Sequence, residues 1–130
     1  MSADTVNKQF PMIVGAGGPT RVYLVPPTGE TWKISSIKFM PNETSAAHAS
    51  NYASLQAFRG ASTALTAART TASGGGGALT QGTIDSLALT ATGGDLEISA
   101  AEPFSFRVAQ VSSGVAVAGT VIATFDRMRF

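Results

Sequence analysis

The chain has 130 residues, 44% of them apolar and only 13% charged, and nine Lys and Arg against eight Asp and Glu leave a net charge of +1. That length holds one domain with a packed core of its own. The absence of cysteine excludes disulfide staples, thiolate metal sites and a cysteine nucleophile, and the near-neutral balance lacks the basic excess that a nucleic-acid surface shows.

The first residues, Met1 to Lys8, have no basic stretch followed by an apolar run, so synthesis in the cytoplasm is expected. Residues 10–14 read as a strand that ends in Gly15-Ala16-Gly17-Gly18-Pro19, a cluster that cannot continue a ladder. Residues 21–25 form a second strand, stopped by the turn signal Pro26-Pro27-Thr28-Gly29. In residues 31–40 the apolar parity changes at Ser35-Ser36, with Trp32 and Ile34 on one face and Ile37 and Phe39 on the other. Either a bulge there lets all four reach one core, or the strand is buried on both faces. Residues 51–59 carry apolar groups at both parities, which leaves their orientation open.

Between residues 60 and 78 the composition turns to Ala, Ser, Thr and Gly, peaking at Gly74-Gly75-Gly76-Gly77. A flexible loop is expected there, with a weak strand near 64–70. Strand patterns return at 79–90, 96–99, 104–111 and 115–125. Phe104, Phe106 and Val108 alternate with Ser105, Arg107 and Ala109, as in a sheet with one buried face. Ser112-Ser113-Gly114 reads as the turn of a hairpin joining the last two strands. No segment keeps helical periodicity with a cap before it, and no apolar run is long enough to span a membrane. About eight short strands with turn punctuation predict an all-β antiparallel sandwich, with a jelly roll favoured because its long connections absorb residues 41–50 and 60–78. The whole chain, 1–130, is expected as one sandwich domain, with an N-terminal arm over residues 1–13.

Chemistry is hard to assemble from these residues. His48 is the sole histidine, so neither a metal site nor a triad is expected of it. Asp95, Glu97 and Glu102 lack calcium-loop spacing, and the glycine clusters lack the endings of nucleotide-binding loops. No catalytic residue, metal or cofactor is expected, and the chain does not read as an enzyme. Trp32 fits a core position better than a sugar-stacking platform because Ile34 and Ile37 accompany it. The two ends instead combine large apolar side chains with cations: Phe10, Met12 and Ile13 at one, Arg127, Arg129 and Phe130 at the other. Such residues are enriched in binding hot spots, and these six are the candidate partner contacts. Low charge with aromatic ends points to a homo-oligomer, most simply a trimer.

The segment Leu24-Val25-Pro26-Pro27-Thr28-Gly29-Glu30-Thr31-Trp32-Lys33-Ile34-Ser35-Ser36-Ile37-Lys38-Phe39 resembles a Pro-Gly-Glu-x-Trp turn found in small structural proteins of tailed bacteriophages. Thr92-Gly93-Gly94-Asp95-Leu96-Glu97-Ile98 resembles the strand entry of many jelly rolls. With its length and its Ala, Thr, Ser and Gly bias, the chain is similar to capsid decoration, or cement, proteins. That resemblance implies a place on the virion surface, commonly as a trimer, clamping subunits of the major capsid protein, with neither nucleic acid nor membrane as partner. A fibre or receptor-binding module of carbohydrate-binding type is the alternative.

Overall fold

The computed structural model describes residues 2–15, 21–111 and 117–129, with side chains over 21–110 and 117–126. In chain order the strands are β1 (Ser2–Gly15), β2 (Arg21–Leu24), β3 (Thr31–Pro41), β4 (Tyr52–Arg59), β5 (Thr63–Ala64), β6 (Arg69–Thr70), β7 (Asp85–Leu87), β8 (Glu97–Ile98), β9 (Phe104–Val111) and β10 (Ala118–Arg129). A 3-10 turn at Gly93–Leu96 is the one helical element among the described residues. The strands make two antiparallel sheets packed on one another, the all-β sandwich that the strand spacing predicts. One sheet runs β1-β10-β3-β7 with β8 also on β3, and the other runs β2-β9-β4-β5 with β6 also on β4. Pairing is nested along the chain: β1 with β10, β2 with β9, β3 with β7 and β8, and β4 with β5 and β6.

The core lies between the sheets and is closed by aromatic contacts that cross from one to the other. Phe39 of β3 stacks on Phe106 of β9 at 5.9 Å between ring centroids, and Phe104 of β9 meets Phe125 of β10 edge-on at 5.5 Å. Such pairs add about 0.5–1.5 kcal/mol each beyond the area they bury. Gly119 lets this packing close, because a Cβ there would lie 2.5 Å from Phe39 Cζ and collide with the Met40 carbonyl.

The parity change in β3 is a bulge. Thr124 of β10 faces Ser36 and the next residue, Phe125, faces Ile34, which leaves Ser35 as the extra residue. Trp32, Ile34, Ile37 and Phe39 are consequently all buried on one face, and the bulge is held by a bond from Ser35 Oγ to the Thr124 carbonyl at 3.1 Å. In β4 the residues facing the core are Ala53, Leu55 and Ala57. Pro26-Pro27-Thr28-Gly29 turns as its composition suggests: Glu30 N donates to the Pro27 carbonyl, and Gly29 takes a positive φ of 88°.

The expected hairpin and the expected strand over 79–90 are corrected. The last two strands do not form a hairpin, because β9 pairs with β2 and β4 while β10 pairs with β1 and β3 in the opposite sheet. The alternation that suggested a hairpin is the same for two strands facing each other across a core, and the turn itself, residues 112–114, lies outside the described residues. Of residues 79–90 only Asp85–Leu87 is strand. The Ala- and Gly-rich stretch 60–78 contains β5 and β6 and buries Leu65, Thr66 and Thr71. Residues 2–13, expected in an arm, fall in β1, in ladder register with β10 on either side of a shift between Asp4 and Asn7.

Candidate interaction surface

The outer face of the β2-β9-β4 sheet presents a small grid of side chains. Because residues alternate sides along a strand, placing Val22 and Leu24 against the core turns Arg21 and Tyr23 outward. The register sets Arg21 opposite Arg107 and Arg107 opposite Gln56 in one row, and Tyr23 opposite Ser105 and Ser105 opposite Phe58 in the next. Arg21 reaches across the rows: its Nη1 donates to Ser105 Oγ at 3.1 Å and to the Ala61 carbonyl at 3.2 Å. Ser105 Oγ in turn donates to the Gly60 carbonyl at 2.8 Å. The guanidinium carbons of Arg21 and Arg107 stand 4.9 Å and 5.5 Å from the centroid of the Phe58 ring, which holds two like charges together through its π face. Neither arginine has a carboxylate partner among the described residues. Tyr23 is 53% and Val25 56% exposed on the same strand and its extension.

The end residues singled out in the sequence lie on the other sheet. β1 sets Phe10 opposite Ala123, Met12 opposite Val121 and Ile13 opposite Thr120, while Arg127 is opposite Asp4 and Arg129 opposite Ser2. The ladder therefore brings the first residues of the chain beside Arg127 and Arg129, and places Phe10, Met12 and Ile13 farther along β10. Phe130 lies outside the described residues. Arg21, Phe58 and Arg107 were not singled out, because what unites them is strand register. The alternation of Arg21 with Val22 and of Arg107 with Phe106 is visible in the sequence, but their opposition requires knowing that β2 pairs with β9.

The remaining candidates are structural in their contacts. Trp32 is 4% exposed, 5.8 Å from the Phe125 ring, and its Nε1 donates to Glu30 Oε1 at 3.0 Å, so no sugar can stack on it. His48 is exposed, and its Nδ1 accepts from the backbone N–H of Ser50 and Asn51 at 3.1 and 2.9 Å, a local turn cap. No group of three His, Asp or Glu side chains is placed to hold a metal among the described residues. A groove of about 250 Å³ opens between residues 67–70 and 86–90. Its one charged side chain, Arg69, is fully engaged: Nε with Asp85 Oδ2 at 3.0 Å, and the terminal nitrogens with the carbonyls of Thr70, Gly77 and Ala78. Arg69 thereby ties down the glycine tract. No protein-family model, curated protein or solved structure matches the chain.

Proposed function

We propose that the protein is a virion structural protein that decorates an icosahedral phage capsid and stabilises it by bridging capsid subunits, acting as a homotrimer. The observation that carries this reading is the nested strand order, first strand with last and second with ninth, which is the order obtained when one long antiparallel ribbon folds over into a jelly roll, an architecture of viral capsid and lectin domains. Architecture alone does not fix function. The decoration role is favoured over the lectin role by the burial of Trp32, which removes the best sugar platform, and by a lightly charged surface that associates at little desolvation cost.

The test starts from virions purified from the phage that encodes the chain. The protein is expected at a fixed ratio to the major capsid protein, and its re-addition to stripped capsids is expected to raise the temperature of DNA release. Absence from the particles, or binding without protection, would overturn the decoration role. Light scattering of the isolated protein tests the trimer, and a mass that stays at one 13.3 kDa chain at every concentration removes it.

A further inference from the structure

The geometry points to the outer face of the β2-β9-β4 sheet as a docking surface for an acidic segment of a partner protein, with one carboxylate received between Arg21 and Arg107 above Phe58. This goes beyond the decoration role and holds whichever protein supplies the segment.

The first support is an electrostatic conflict that the fold leaves in place. Arg21 and Arg107 are directly opposed on neighbouring antiparallel strands, an arrangement in which like charges repel. Elsewhere the chain neutralises a comparable cation: Arg69 pairs with Asp85. On this face no carboxylate answers either arginine among the described residues, and Phe58, only 8% exposed, is covered by both. Arg21 is further fixed by Ser105 and the Ala61 carbonyl, so one guanidinium is pre-positioned while the exposed Arg107 has no hydrogen-bonding partner among the described residues. Two guanidinium groups held near one ring suit an anion that accepts two or more charge-assisted bonds.

The second support identifies the anion's carrier. Tyr23 and Val25, both more than half exposed, share the outward parity of Arg21, and an aromatic and an aliphatic group beside arginines are what a protein segment uses and a free phosphate does not. A nucleic acid fits poorly. Arg59, the one cation of β4, donates its Nε to the Glu97 carbonyl at 2.8 Å, and two arginines are too few for the run of phosphate contacts that holds a polyanion. The Phe58 ring is not open to a sugar, since it lies beneath the guanidinium groups.

The experiment titrates the full-length, isotopically labelled protein at low salt with a capped peptide of alternating glutamate and leucine. Its lysine counterpart, inorganic phosphate and a short single-stranded DNA are titrated in parallel. The arginine Nε–H signals of Arg21 and Arg107 and the ring signals of Tyr23 are expected to shift saturably with the glutamate peptide alone. Arg107→Gln is expected to weaken that binding about tenfold or more, the loss of a charge-assisted bond, while its melting temperature stays at or above that of the parent because a repulsion is removed. Arg107→Lys is expected to fall between the two, and Lys38→Gln, on the opposite sheet, to bind as the parent does. No saturable shift, an equal response to phosphate, tighter binding of DNA, or unchanged affinity in Arg107→Gln would each overturn the proposal.

Discussion

Deleting Ser35 is expected to leave the protein almost as stable as before, whereas deleting Lys33, two residues earlier in the same strand, is expected to cost several kcal/mol. Ser35 is the extra residue of the bulge. Without it, Trp32, Ile34, Ile37 and Phe39 alternate regularly with Lys33, Ser36 and Lys38, so the same four side chains stay inward and the ladder to β10 closes with no slip. The other side of β3 accommodates the change as well, because β8 pairs with Trp32 and Lys33 while β7 pairs with Ile37, Lys38 and Phe39, and the bulge falls between them. What is lost is the bond from Ser35 Oγ to the Thr124 carbonyl, an exposed contact, about 0.5–1.5 kcal/mol. Deleting Lys33 offers no such escape: at least one large apolar residue must leave the core, most cheaply Trp32 at the start of the strand, for about 3–5 kcal/mol. Urea unfolding of both variants, followed by Trp32 fluorescence, measures the difference. Equal destabilisation by the two deletions would show that the bulge is needed for the curvature of β3 and refute the parity argument.

Three further outcomes follow from the packing. Trp32→Ala is expected to destabilise the fold by about 3–5 kcal/mol, and the native emission of Trp32 to be blue-shifted, as calorimetry and fluorescence will show. Gly119→Ala is expected to cost about 1–3 kcal/mol or more through overpacking against the Phe39 ring and the Met40 carbonyl, and in a double-mutant cycle a Phe39→Leu background is expected to relieve only part of that cost, since it leaves the backbone collision in place. Arg69→Met is expected to cost at least about 2 kcal/mol and to make residues 74–77 readily cleaved in limited proteolysis, since it removes the bonds to Asp85, Gly77 and Ala78.

How much was legible in the sequence follows from what each feature depends on. The sandwich, the turn at Pro27 and the core position of Trp32 rest on local pattern, and the pattern carries them. The parity break at Ser35-Ser36 narrowed β3 to two arrangements, and only the register with β10 distinguishes them. The supposed hairpin of β9 and β10 failed because alternation records that a strand has one buried face and says nothing about which sheet contains it. In the stretch 60–78 composition hides two features: Leu65 is a single large apolar residue in a small-residue background, yet it is fully buried, and Arg69 bonds to the Gly77 and Ala78 carbonyls. The Arg21, Arg107 and Phe58 cluster is a product of pairing between strands far apart in the chain, which leaves no local signature.

The placement of the chain ends alters what a truncation experiment can report. If residues 1–13 were an arm, their removal would leave the sandwich intact and weaken only its attachment to a capsid. In the fold residues 2–13 belong to β1, whose ladder runs along β10 from Ser2 opposite Arg129 to Gly15 opposite Ala118. Removing them would turn β10 from an inner strand into an edge with a long row of unsatisfied backbone groups, beside a core in which Val121, Ala123 and Phe125 are fully buried. Such an edge is an aggregation template, so the truncated chain is expected to melt at a lower temperature and to elute as aggregate in size-exclusion chromatography. Removing residues 127–130 is expected to be milder, because the ladder pairs it takes away among the described residues are those of Arg127 and Met128 with Trp32 and Thr31, and those from Ser2 to Asp4 across β1. A chain lacking residues 1–13 that stays monodisperse with the parental melting temperature would show that β1 is dispensable to the cooperative unit and free to act as an arm. With the expected outcome, attachment must be probed by substitutions that keep the β1-β10 ladder, compared on capsids only after each variant has matched the parent in melting temperature.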